Sequence, residues 1–372
     1  MIIRTTHVGS LPGPPGFDPT ASLSDVELRA AAAWVLEQQR SIGLDFVNEG
    51  ELTKGGDWLA YMEGRLGGFE ARAMPNRRSI MIEGRDRADF AEFYRWAAER
   101  QTLFFYADKR MPVARRFLVC TGPILYTGTE ALRRELDILG SVARDRSICF
   151  MTSTAPASLE PYRANEFYRS EEEFVAALSE AMRSEYEAIA ASGFLLQIDD
   201  AWLVALWDRI GIAMGLEAFK QRSRLRIEAL NHALANVPEE RIRYHLCWGS
   251  WHGPHAHDLP LADFVEVMLS VKARYYSFEA ANVRHEHEYE VWRDVRLPQD
   301  KVIIPGVVTH STDLVEHPRL VAQRIERFAR LVGPERVIAG TDCGFGGRVH
   351  PQIAWAKLRS LVEGARLASR GS

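Results

Sequence analysis

Ile242-Arg243-Tyr244-His245-Leu246-Cys247-Trp248-Gly249 is the stretch on which the fold is read: a short β-favouring run that stops on a glycine and is followed, after a loop, by a helical pattern. The same unit recurs along the chain. Runs at 44–48, 117–120, 148–152, 194–199, 242–247, 275–279, 302–308 and 337–341 each end in polar or glycine residues, and eight is the number a closed (β/α)8 barrel needs. A further run at 2–8 is expected as a ninth strand or as an extension laid across the barrel mouth. The fold class predicted is α/β, a single (β/α)8 TIM barrel.

Helix signals lie between the runs. Ser24 with Glu27, and Ser170 with Glu173, have capping-box spacing. After Ser170, Phe174, Leu178, Met182 and Ile189 fall on one helical face. Near the C-terminus Pro318 suits a first turn, Val321, Ile325, Phe328 and Val332 form an apolar stripe, and Gly333-Pro334 stops the helix. Residues 53–116 are too long for an ordinary loop between a strand and its helix. They read as an extended insertion between the first barrel strand and first barrel helix, a lid or an oligomer contact, with an aromatic-rich stretch at 90–106. No Pro/Ser-rich linker divides the chain, so 1–372 is expected as one catalytic domain.

Composition narrows the function. With 372 residues, 47% hydrophobic and 26% charged, the chain can bury a sizeable core, and a net charge of -4 without a basic stripe argues against a nucleic-acid partner. No run approaches the length of a transmembrane helix and the first residues lack the apolar core of a signal peptide, so a cytoplasmic protein without a membrane partner is expected. Four widely spaced cysteines do not read as a disulfide framework; they are core residues, metal ligands or nucleophiles.

In a strand, residues two apart share a side, so His245 and Cys247 converge at a strand end. Glu279 and Cys343 end later runs, and strand ends of one barrel face a common cavity. One histidine, two cysteines and a glutamate suit Zn²⁺ better than Mg²⁺ or Ca²⁺. Zinc would turn a substrate thiol into a thiolate able to attack carbon. The alternative is a buried pair of cysteines beside a hydrogen-bonded histidine. The histidines of 251–257 and 284–288 form rival clusters, better read as loop structure.

Thr5-Thr6-His7-Val8-Gly9-Ser10-Leu11-Pro12, Asn48-Glu49-Gly50-Glu51, Thr121-Gly122-Pro123, Gln197-Ile198-Asp199, His245-Leu246-Cys247, Ser277-Phe278-Glu279, His310-Ser311 and Asp342-Cys343-Gly344 occur in an order that resembles the cobalamin-independent methionine synthase family. The resemblance spans almost the whole chain and corresponds to that family's catalytic barrel. It implies zinc bound by His245, Cys247, Glu279 and Cys343, an amino-acid carboxylate held by Gly9-Ser10, and an amino group held by Glu51 and Asp199. It also implies His310 as proton donor to the leaving group. Asp199 or Asp200 could instead simply cap the helix that follows, and His310 could bond to loop backbone.

Where the family stacks a folate pterin on an aromatic platform, this chain has Ile124-Leu125-Tyr126-Thr127-Gly128, leaving Tyr126 as the candidate. The text around Cys247, Glu279 and Cys343 resembles a short single-barrel branch that includes epoxyalkane:coenzyme M transferases. The expected reaction is methyl transfer to homocysteine or a similar amino thiol. The alternatives are addition of a thiol such as coenzyme M to an epoxide, with Lys54 and Arg348 to hold a sulfonate, and a uroporphyrinogen-decarboxylase-like or binding barrel without catalytic zinc. Expected partners are a small-molecule thiol and an alkyl donor, a corrinoid protein among the possible donors, with homo-oligomerisation left open.

Overall fold

The computed structural model describes residues 2–72, 84–100, 102–103 and 117–371. Seven parallel strands lie side by side in the order β1-β10-β9-β8-β7-β6-β4. These are β1 (Arg4–Thr5), β4 (Phe150–Thr154), β6 (Leu195–Asp200), β7 (Ile242–Leu246), β8 (Tyr275–Phe278), β9 (Val302–Val308) and β10 (Ile338–Thr341). The segment around Val47 closes the ring. The Phe46 N–H donates to the Thr5 carbonyl at 3.1 Å, Val47 bridges Cys149, and the Phe150 N–H donates to the Val47 carbonyl at 3.0 Å. With that stave the sheet returns on itself as a parallel barrel.

Two expected strands change roles. The run at 2–8 supplies the first stave rather than a ninth strand or an extension, because Arg4 and Thr5 pair with Ile338 and Ala339. The run at 117–120 is no stave. It opens β3 (Phe117–Tyr126), which pairs antiparallel with β2 (Leu66–Arg72) and parallel with β5 (Arg163–Asn165) in an outer three-stranded sheet. Apolar alternation reports that a strand is half-buried, not which sheet it joins. The long insertion therefore follows the second stave, not the first; its residues 73–83, 101 and 104–116, and with them part of the aromatic-rich stretch, lie outside the described residues.

Helices cover the barrel as the apolar patterns require. Ser24 accepts from the Glu27 N–H and Glu27 answers at the Ser24 N–H, a complete capping box for the helix Asp25–Ile42. Ser170 caps Glu171–Ala191 by accepting from the Glu173 N–H, while the Glu173 carboxylate turns to the Arg169 N–H, so only half of the expected box forms. Phe174, Leu178, Met182 and Ile189 of that helix are buried, as are Val321, Ile325, Phe328 and Val332 of Pro318–Val332. Each such side chain contributes about 1.5–3 kcal/mol through burial. No helix among the described residues is long and apolar enough to cross a membrane.

The barrel interior is layered along its axis. Phe46, Phe150, Leu195, Val302, Ile304 and Ile338, near the strand starts, form an apolar cluster. Register then sets the next layers: Gln197 stands beside Arg243, Asp199 beside His245, and His245 beside Ser277. Because alternate residues face inward, an apolar floor gives way to a polar layer and then to chemistry at the strand ends. Arg243, fully buried over the Phe150 ring, donates to the His7 carbonyl at 2.9 Å and ties the floor to the first stave.

Candidate metal centre and cavity

At the C-terminal ends of β7 and β10 the ligand atoms of His245, Cys247 and Cys343 lie within 4.8 Å of one another, and all three residues are buried. The imidazole Nδ1 lies 3.1 Å from the Ser277 hydroxyl, which leaves Nε2 buried without a hydrogen bond among the described residues. A buried nitrogen of that kind is costly unless something is to bind it. Glu279 stands outside this mutual set but reaches it, with Oε1 3.4 Å from the Cys247 sulfur. The Trp248 N–H donates to that oxygen at 2.9 Å and Asn282 donates to Oε2 at 2.8 Å.

The two sulfurs are not equivalent. Cys343 is held well below the ordinary thiol range by the hydrogen bond from Cys247, against the cost of burial and with help from Arg348 and His245. Cys247 is pushed well above it by the same contact and by burial. Ser250 donates to the Cys343 sulfur at 2.9 Å and sits 3.5 Å from that of Cys247. Burial pushes the Glu279 carboxyl up to about 7. Asp342, to which the sequence reading gave no role, accepts from the N–H groups of Ala280 and Ala281, each at 2.8 Å, and so fixes the loop that carries Glu279 and Asn282.

The cluster opens into a cavity of about 2080 Å³ lined by Ser10, Glu51, Lys54, Asp199, His245, Cys247, Ser250, Cys343 and Arg348, among others. Gly9 lies just behind: a Cβ there would meet the Glu51 carboxylate oxygen at 2.2 Å, so only glycine lets that carboxylate sit against the first stave. Glu51 itself has φ 59, a left-handed conformation unusual for glutamate and of the kind that persists where surrounding structure imposes it. Its carboxyl is raised by burial, and Asp199 is pushed to about 7 by burial and by Glu51. Two buried carboxylates that oppose each other's charge are relieved by a cation between them.

Some expectations do not survive the geometry. Tyr126 is not among the residues lining the cavity; it sits on the outer sheet, where its hydroxyl donates to Glu185 at 2.6 Å. Thr121-Gly122-Pro123 is likewise on β3 and is not among the residues lining the cavity. The strand that does reach the mouth, β4, ends at Thr154 and is followed by Ala155-Pro156; the aromatics lining the cavity include Tyr162 and Trp202, 6.1 Å apart and edge-on. The sequence alone named neither, because the candidate ring was sought in Ile124-Leu125-Tyr126-Thr127-Gly128. Asp199 does not cap a helix but accepts from Gln197 at 2.8 Å. Lys54 is engaged by Thr152, at 2.6 Å to the hydroxyl, whereas the Arg348 side chain donates to the Gly344 carbonyl at 3.2 Å.

His310 is buried two residues beyond β9, with Nδ1 unpartnered among the described residues; burial lowers its pKa to about 3. It does not line the cavity directly. The rival histidines resolve into loop structure. His255 and His285 share Asp258, at 2.9 and 3.2 Å, His285 also meets Glu288 at 2.8 Å, and His257 meets Asp89 at 2.8 Å.

No protein-family model matches the chain. Curated relatives do. It is 26% identical over 226 residues to a methionine synthase of Thermococcus kodakarensis, covering 60% of this chain and 59% of that protein. Over 220 residues it is 24% identical to the methionine synthase of Saccharolobus solfataricus, covering 58% and 57%. The matched part thus spans less than two thirds of either relative. Among solved structures, a B12-independent methionine synthase from Shewanella sp. W3-18-1, in complex with selenomethionine, superposes over 100% of this chain and 99% of its own, with TM-score 0.69 and 16% identity. A putative vitamin-B12-independent methionine synthase from Listeria monocytogenes gives TM-score 0.65 and 19% identity over 98% of each chain. At those identities the superpositions establish the barrel fold. Taken with the curated relatives, they make the chain similar to the cobalamin-independent methionine synthases in fold and, over the matched part, in sequence.

Proposed function

We propose that the protein is a zinc-dependent methyltransferase that alkylates homocysteine or a similar amino thiol. The observation that carries this reading is the buried set His245, Cys247 and Cys343 with an unpartnered imidazole nitrogen, opening on a cavity. Two sulfurs, a nitrogen and a nearby carboxylate are a donor set that fits Zn²⁺, with Glu279 as the fourth and weakest ligand. Bound there, zinc would supply the positive charge that keeps an incoming thiol deprotonated at neutral pH. The similarity to methionine synthases, one of them in complex with selenomethionine, supports the same acceptor.

The chain's own residues do the rest. Glu51 and Asp199 take the substrate ammonium between them, which converts their repulsion into two charge-assisted hydrogen bonds. Ser10 and the backbone at Gly9 take its carboxylate. The substrate sulfur then forms a bond to the methyl carbon as the bond from that carbon to the leaving atom breaks. The electron pair goes to the leaving atom, which needs a proton. The proton that the substrate thiol gives up balances this, and His310 is proposed as its carrier: neutral at rest because it is buried, it would take up that proton only transiently before passing it to the leaving atom.

Arg348 favours a second reading, in which an acidic thiol such as coenzyme M adds to an epoxide, because this guanidinium lies in the cavity and its charge is favoured by Cys343 and Glu51. A barrel that needs no metal gives no account of the cysteine pair. Mass spectrometry of thiol products, with homocysteine and coenzyme M each offered methyl donors and epoxides, separates the readings. Glu51→Gln is expected to abolish product from homocysteine; equal loss with coenzyme M would remove the ammonium role from Glu51.

A further inference from the structure

Thiol alkylation at this site carries a hazard of its own. Cys247 and Cys343 line the same cavity that an alkyl donor must enter, and a protein thiolate is itself a nucleophile. The substrate sulfur therefore competes with two cysteines for one electrophilic carbon. A cysteine that won would become a neutral thioether, and a ligand that has lost its charge no longer holds the metal. The loop after β7 meets both sulfurs. The Gly249 N–H donates to the Cys247 sulfur at 3.3 Å, and the Ser250 hydroxyl donates to the Cys343 sulfur at 2.9 Å.

Packing keeps those donors in place. Gly249 has φ 90, in the left-handed region, and a Cβ there would stand 1.9 Å from the Trp251 ring, so glycine alone fits. Trp251 is stacked on His255 with ring centroids 4.1 Å apart, and its indole N–H donates to the Tyr94 oxygen at 3.2 Å. With one proton each, both donors are committed to the protein sulfurs. A hydrogen bond to an ionised acceptor is of the stronger kind, and it draws off the charge with which sulfur attacks carbon. We infer that Ser250, alongside the Gly249 N–H, directs alkylation to the substrate by damping the protein's own cysteines, Ser250 acting through Cys343. This assignment rests on the thiol-alkylation reading and makes Ser250 a determinant of selectivity rather than a ligand.

Peptide mass spectrometry of the zinc-loaded full chain treated with iodomethane tests this. Methylation there forms a bond from the cysteine sulfur to the methyl carbon as the carbon–iodine bond breaks, and iodide leaves with the electron pair. In Ser250→Ala, Cys343 is expected to be methylated about tenfold faster than in the parent, with zinc released in step, while Cys247, still bonded by the Gly249 N–H, changes little. Ser250→Thr, which keeps the hydroxyl, is expected to return towards the parent, and Ser250→Gly takes the place of Ser250→Ala should that variant not fold. A Cys343 rate in Ser250→Ala within about twofold of the parent, or an equal gain at Cys247, overturns the proposal. So does loss of zinc before iodomethane is added, which would make Ser250 a holder of the metal. Homocysteine product, above the rate without protein, is read separately. A Cys343 rate set by Ser250 with no such product keeps the damping and removes the thiol reading, whereas product with a Cys343 rate indifferent to Ser250 removes the damping alone.

Discussion

Asp199 concentrates the cost of this site in one side chain. Its carboxyl ionises near pH 4 in an unfolded chain but only at about 7 when folded. Between those values the unfolded state sheds a proton that the folded state keeps, so Asp199 subtracts stability progressively from pH 4 to 7 and by a constant amount above. Asp199→Asn is therefore expected to raise the melting temperature of the ligand-free protein at pH 8, to do so less at pH 5, and to weaken amino-thiol binding; a melting temperature lowered at pH 8 would refute the opposed-carboxylate description. At the cysteines the expectation is reversed. Cys247→Ala and Cys343→Ala should each lose metal by elemental analysis while far-ultraviolet circular dichroism stays near that of the parent, and full metal retention in both would contradict the ligand assignment. These residues were legible because side chains two apart share a face and strand ends converge. Ser250 and Asp342 were not, since a serine on a loop and an aspartate beside a ligand carry no periodic signal.

Among the elements, the link between the insertion and the metal-site loop is the most exposed to test. Asp86 accepts from the Ala256 N–H at 2.9 Å and from the Tyr94 hydroxyl at 2.6 Å, and the Tyr94 oxygen accepts from Trp251, which lines the cavity. Asp86 is buried, so Asp86→Ala leaves two donors unsatisfied at a cost of about 1–3 kcal/mol each. Hydrogen exchange should quicken across 84–100 and 251–258 together; unchanged exchange in the second segment would mean that the insertion does not hold that loop. Most staves were readable from short β-favouring runs, such as those ending at Asn48, Asp199, Cys247, Glu279 and Thr341. The outer sheet was not, because β3 is as strand-like in sequence as any stave and only its partners distinguish it. Arg4–Thr5 was underrated for the opposite reason: its pairing to β10 joins residues more than three hundred positions apart, which no local pattern records.

For the molecule as a whole, the barrel is closed by backbone hydrogen bonds between staves rather than through the candidate ligand side chains. Chelation is therefore expected to remove the metal while leaving cooperative unfolding at a lower temperature; loss of secondary structure on chelation would make the metal structural. The pH response should be two-sided. Glu49, Asp199 and Glu279, each raised to about 7, contribute stability that is lost as pH rises through 4 to 7. His7 and His310, lowered from 6.5 to about 3, contribute stability present above 6.5 and lost as pH falls towards 3. Of all these expectations, one measurement bears most directly on the central claim: zinc-edge X-ray absorption of the purified chain with and without homocysteine. About one zinc per chain with two sulfur neighbours, gaining a third sulfur when homocysteine is added, is the result expected. A metal-free protein, or a sulfur count unchanged at saturating homocysteine, would contradict thiol activation at His245, Cys247 and Cys343.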